Sequence, residues 1–188
     1  GQVVIAEKPL PINVDAYIPG TVRDIYNKEG VSVNSLGTFI QGIIGIGGEK
    51  KGIIKFLVKS PSDKINISMI DDSLKDNIII CGSYSNYDIY QKAKAVGVKG
   101  IVVGGFDYND LSNILGYNLG VAITGSEKID MSLIVTEGFG KISMAKGTFD
   151  LFSEFNGKYA SINGSTQIRA GVIRPEVVIP HEKSVEEN

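Results

Sequence analysis

Residues 39–52 read FIQGIIGIGGEKKG, with five glycines in fourteen positions and isoleucines between them. Such a stretch is either a loop that cradles phosphate or the backbone of a tightly turned sheet. A phosphate loop needs Gly-Lys-Ser/Thr at the head of a helix, but here Gly48 is followed by Glu49, whose charge repels phosphate. A dinucleotide loop needs G-x-G-x-x-G between a strand and a helix. Gly45 and Gly47 fit, yet the sixth position is Lys50 and no helical period follows. The stretch therefore reads as β structure. Phe39, Gln41, Ile43 and Gly45 alternate with Ile40, Gly42, Ile44 and Ile46, and IIKFLV (53–58) is the expected partner strand of a long hairpin. Gly47, Gly48 and Gly52 then fall at or near its turn, and Gly42 and Gly45 at a bulge or close approach.

Upstream, short apolar alternations (Val3 and Ile5; Ile12, Val14 and Ala16; Val22 and Ile25; Val31 and Val33) are punctuated at PLP (9–11), PG (19–20), NKEG (27–30) and SLG (35–37). That spacing predicts a small β-barrel or sandwich over residues 1–60. Residues 61–76 are polar and connect units. From 77 the rhythm changes. IIICG (78–82) and GIVVGG (100–105) read as buried strands, separated by a helix with Ile89, Ala93 and Val96 at helical spacing, an Asn86 cap and a Gly97 stop. Leu111, Ile114 and Leu115 mark a second helix ended by Gly116. GVAIT (120–124) and SLIVT (132–136) read as further strands. Phe149, Phe152 and Phe155 mark a third helix, capped by Thr148 and ended by Gly157. The order over residues 77–160 implies a parallel sheet. Residues 161–180 form a closing β segment and 181–188 a polar tail.

Composition narrows the function classes. The 188 residues carry 43% hydrophobic and 21% charged side chains, ordinary for a packed globular chain. A net charge of −2 gives no footprint for nucleic acid or an anionic membrane. With only Cys81 and His181, disulfide frameworks and Cys/His zinc sites are excluded, and a reducing cytoplasm is compatible. No run of about 18 apolar residues is present to span a membrane. The opening GQVVIAEKP lacks a signal-peptide pattern and an initiator Met, as expected of a piece cut from a longer protein.

The stretch YQKAKAVGVKGIVVGGFDYNDL (90–111) resembles the core of swivelling β/β/α domains, a group that includes phosphohistidine carriers, protease-associated domains and ribonuclease-regulator-like aldolases. VDAYIPGTVRDIYNKEGVSV (14–33) is similar to barrel-sandwich domains of the biotinyl/lipoyl type, in which proline and glycine precede a hairpin. Together they resemble a bacterial family that joins these two parts. The resemblance implies an α+β or α/β chain: a barrel-sandwich unit, a three-layer swivelling-like unit and the closing β segment. It does not carry an activity with it. A phosphohistidine carrier needs its histidine in the α/β unit, whereas the one histidine, His181, lies in the tail. The aldolase arginine is missing from Gly105-Phe106-Asp107-Tyr108, and Lys50 and Lys51 lack the flanks of a modified lysine.

The remaining candidates for chemistry are few. Asp107, Glu127 and Glu137 follow strands, where ligands of open α/β sheets bind, and could converge on Mg²⁺ or share a proton. The competing reading, solvated loop charges, is preferred because such loops are polar anyway. Gln167 and Arg169 lie in the polar β-patterned segment INGSTQIRAGVIRPE (162–176). Arg169 either grips an anion bidentately or pairs with Glu137 or Glu176 inside the chain. Cys81 ends an apolar run and reads as a small buried hydrophobe. The expectation is a non-catalytic cytoplasmic binding or scaffold module with no cofactor and no catalytic residue. Its partners would be other domains of the parent protein or another protein. The rival is an enzyme or a receptor for an anion or metal at the strand ends.

Overall fold

A computed structural model describes residues 13–117, 129–167 and 171–181. In chain order the elements are β1 (Thr21–Tyr26), β2 (Gly30–Asn34), β3 (Gly37–Gln41), β4 (Ile44–Ile46), β5 (Glu49–Phe56), β6 (Asn77–Ile80), β7 (Tyr84–Ser85), α1 (Tyr87–Val96), β8 (Gly100–Phe106), α2 (Tyr108–Leu115), β9 (Ser132–Phe139), α3 (Lys146–Glu154), β10 (Tyr159–Asn163) and β11 (Glu176–Pro180). The fold is mixed α+β, with one large mixed sheet and three helices among the described residues. The expected strand at 120–124 and the alternations before residue 13 lie outside the described residues.

The large sheet runs β3-β11-β10-β5-β6-β8-β9-β4, with β7 beside β8. The strands from β5 through β9 are parallel neighbours, and the remainder pair antiparallel. Its two end strands, β3 and β4, are consecutive in the chain and only Gly42 and Ile43 separate them. Gly42 N–H donates to the Pro175 carbonyl and Ile43 N–H to the Val135 carbonyl, each at 2.9 Å. The chain thus steps from the β11 side to the β9 side within two residues, and the sheet curls until its ends meet. Gly42 permits the step, since a Cβ there would stand 2.5 Å from Ile134 Cγ2. Across the interior, a Cβ on Gly100 would stand 2.6 Å from Ile162 Cδ1, so the β8 and β10 walls face each other in contact.

The hairpin expected from FIQGIIGI and IIKFLV does not form. β4 pairs with β9, while β5 lies between β10 and β6. Gly47 takes a left-handed turn (φ +84°) that parts the two strands, and Gly52 sits within β5, not in a turn. Nor is the described part of residues 1–60 a barrel of its own. β3, β4 and β5 belong to the large sheet, and only β1 and β2 stand apart as a two-stranded ribbon.

Alternation divides the core. Ile79, Ile101, Val103, Leu133 and Val135 face outward against α1 and α2. Ile78, Val102, Ile134, Ile162 and Val177 face the interior, which α3 closes with Phe149 and Phe152. Helix boundaries follow local chemistry. Asn86 caps α1 by accepting from Ile89 N–H, and Gly97 (φ +90°) and Gly116 (φ +78°) end α1 and α2 in the left-handed region. α3 differs, because it begins at Lys146 and the expected cap Thr148 lies inside it.

Candidate functional site

The strand-end carboxylates do not assemble a site. Asp107 is the N-cap of α2, its Oδ1 accepting from Asn109 and Asp110 N–H at 2.8 and 3.2 Å. Glu137 Oε1 accepts from Ala145 N–H at 2.8 Å, which supplies the cap that α3 lacks in its own sequence. Each carboxylate is committed to a different helix. Gln167 joins Ile173 through two backbone hydrogen bonds of 3.0 and 2.9 Å. Glu127 and Arg169 lie outside the described residues, and no cluster of three metal-ligating side chains forms among those described.

The space beyond the strand ends is also occupied by the chain itself. A Cβ on Gly104 would strike the Ile142 carbonyl, and one on Gly105 the Gly140 carbonyl. The glycine pair of GIVVGG therefore lets residues 140–144 lie directly on β8. Lys141 extends over the Tyr84 ring at 5.8 Å, and Tyr108 meets Phe139 edge to face at 5.2 Å. Asp110 turns the other way and accepts from Tyr87 N–H, joining α2 to the start of α1.

Thr166, from the polar segment considered for ligand binding, is buried. Its hydroxyl accepts from Gly45 N–H at 2.8 Å and donates to the Gly45 carbonyl at 3.0 Å, acting as a strand partner on the far side of β4. Cys81 is fully buried and burial pushes its thiol pKa up, so thiolate chemistry is disfavoured.

Two surface features have no counterpart in the sequence reading. The first is a strap. Residues 16 and 17 lie over the outer face of β5 and β10, where Lys51 Nζ donates to the Ala16 carbonyl and Ser161 Oγ to the Tyr17 carbonyl. On that face Gln41, Glu176, Asn163 and Glu49 stand side by side across β3, β11, β10 and β5. The Tyr17 hydroxyl is shielded from solvent and lies within the influence of the Glu176 carboxylate. Burial, then the Glu176 and Glu49 charges, push the Tyr17 phenol up; burial and then Glu49 raise the Glu176 carboxyl.

The second is a groove of about 680 Å³ between the base of the ribbon and the barrel. The entry to β1 (Pro19, Gly20 and Thr21) and the exit from β2 (Asn34, Ser35 and Leu36) line one side, and Phe155, Lys158, Tyr159 and His181 the other. His181 is not a loose tail residue. Its N–H donates to the Leu36 carbonyl, its Nε2 lies 2.8 Å from Thr38 Oγ1, and its ring stacks on Phe155 at 5.5 Å. The local signal was weak, because the contacts to Leu36 and Thr38 come from the other end of the chain.

The ribbon itself is amphipathic. Val22 pairs with Val33 and Ile25 with Val31, and the register shifts by one residue between Val22 and Asp24. Without that bulge Val22 and Ile25 would point to opposite faces; with it, all four aliphatic chains share one. Val22, Ile25 and Val31 remain 52%, 78% and 54% exposed. Comparison with protein families, with curated proteins and with solved structures gave no match to the chain. No helix among the described residues is long and apolar enough to cross a membrane.

Proposed function

We propose that the chain is a non-catalytic binding or scaffold module of a larger bacterial protein, working in the cytoplasm through contacts with other domains or proteins. The observation that carries this reading is the ribbon. Every residue of β1 is exposed, yet a bulge is used to gather four aliphatic side chains on one face. A buried aliphatic side chain stabilises a fold by about 1.5–3 kcal/mol, and the ribbon contributes almost none of that to its own chain. An isolated two-stranded hairpin is marginal in water, so a face of this kind is suited to burial against a partner.

The rival, a strand-end receptor for an anion or metal, draws less support. Asp107 and Glu137 are committed to helix N-termini, and residues 140–144 fill the crevice. The lack of a basic stripe argues likewise against nucleic acid. The parallel strands β6, β8 and β9 with α1 and α2 on one side support the swivelling β/β/α likeness of residues 77–160. The barrel-sandwich kinship of residues 14–33 has only the sequence likeness and the hairpin behind it.

Thermal scanning against Mg²⁺, Zn²⁺, inorganic phosphate and small dicarboxylates tests the reading, because a native-state ligand must raise the melting temperature. No shift is expected. A stabilisation that disappears in Asp107→Asn or Glu137→Gln would transfer the assignment to the receptor.

A further inference from the structure

We infer that β2 is a self-pairing edge, through which two copies of this chain join their ribbons into a four-stranded sheet. The inference rests on reading the chain as an interaction module, and it names the partner as a second copy. β1 and β2 pair only with each other among the described strands, so no described strand covers the outer edge of either. The two edges are not equivalent. β1 carries the bulge, Arg23 and Asp24, devices that blunt an edge against pairing. β2, GVSVN, has no charge, no proline and no irregularity. Alternate residues of β2 turn their N–H and C=O groups away from β1, which is a template for another strand.

An antiparallel strand is complementary to itself about a two-fold axis. Centred on Ser32, the pairing sets Val31 opposite Val33 of the second copy and Gly30 opposite Asn34, with no like charges facing. The order becomes β1-β2-β2-β1, and the two aliphatic faces merge into one of eight side chains. Four strands with an apolar face exceed the three that a stable sheet requires, whereas the lone ribbon falls short.

A five-residue strand pair covers less than the ~800 Å² per partner of a stable complex, so further contact is required. The same geometry supplies it. Antiparallel pairing carries the turn at residues 27–29 of one copy alongside Ser35 and Leu36 of the other, where the groove of about 680 Å³ opens. Glu29 of that turn then approaches the wall bearing Lys158 of the second copy, with opposite charge. One occupant thus reaches both the β2 edge and the groove at the base of the ribbon.

Sedimentation velocity on the whole chain at roughly 1 to 500 µM, the range of weak to moderate association, is the first measurement. A dimer of twice the monomer mass is expected. Ser32→Lys sets two ammonium groups against each other at the axis and should shift association at least tenfold towards monomer. Because the Ser32 hydroxyl also accepts from Asp24 N–H and donates to the Asp24 carboxylate, Ser32→Ala, which removes those bonds without adding charge, should leave the dimer intact. Ser32→Cys should form a covalent dimer on mild oxidation, while Thr21→Cys, on the other strand, should not. A wild-type monomer throughout the range overturns the inference, as does a dimer that Ser32→Lys leaves intact. Failure of Ser32→Cys to cross-link in a dimer overturns the pairing about Ser32. None of these outcomes bears on the thermal scans that judge the module reading.

Discussion

The Glu137 carboxylate near the end of β9 and the Ala145 backbone N–H, eight positions further along the chain, stand 2.8 Å apart, and that contact starts α3. Glu137→Ala should lower stability by about 1 kcal/mol, the usual cost of a lost N-cap acceptor, and Glu137→Gln by only ~0.3–1 kcal/mol, because the amide oxygen still accepts while the charge at the helix N-terminus is gone. Denaturant titrations of the two variants check the order. A catalytic or ligand role predicts the reverse, with Gln as damaging to activity as Ala and stability untouched.

Gly42 and Gly48 separate two uses of glycine within one stretch. A Cβ at Gly42 meets Ile134 Cγ2 at 2.5 Å and the Val135 carbonyl at 3.0 Å, so Gly42→Ala should cost ~1–3 kcal/mol by overpacking. Gly48 has open space around it, and Gly48→Ala should be neutral or stabilising by up to ~1 kcal/mol through the unfolded chain. Equal effects in thermal melts would refute the closure of the sheet at residue 42.

Acid–base linkage has two arms. Glu176 binds its proton more tightly folded than unfolded, owing first to burial and then to Glu49. Its stabilising contribution is full below the unfolded value and is lost as pH rises through the raised folded value. Asp76 goes the other way. Its hydrogen bond to Lys99, across a 2.9 Å ion pair, holds its carboxyl below the ordinary range, and its contribution disappears as pH falls through that lowered value. Melting temperature should therefore decline on the alkaline side of the ordinary glutamate range, and Glu176→Gln should flatten that decline. Unchanged pH dependence in Glu176→Gln would count against the crowding of Tyr17, Glu49 and Glu176.

Cys81 should be inert to a water-soluble thiol reagent in the folded chain and react fully in denaturant. Burial both shields the sulfur and raises the thiol pKa. Rapid labelling under native conditions would show that β6 opens locally.

The parts legible in the sequence were those governed by neighbours in the chain. Asn86 and Gly97 bracket α1 because a cap and a left-handed stop act within one turn, and Ile78–Ile80 read as strand because both faces of β6 are buried. Alternation in Phe39–Ile46 also announced β structure, but a period of two does not say which strand lies alongside. The true partners of that stretch are β11 and β9, more than eighty residues away. Thr148 looked like a cap for the same reason, since the real acceptor, Glu137, arrives by tertiary contact. Asp107 stood where a ligand residue would and proved to be a local cap. The bulge at Arg23 had no signature, because the side-chain pattern of β1 shows its purpose only once β2 fixes the register.

Because Gly37 pairs with Pro180, the ring of strands is sealed by almost the last described residues of the chain. A ribosome emitting this polypeptide would hold β3 without its neighbour until β11 emerged, leaving a raw seam open to chaperones or to misjoined chains. Removing β11 should therefore harm yield far more than its five residues suggest, since it unzips the circle at two seams at once.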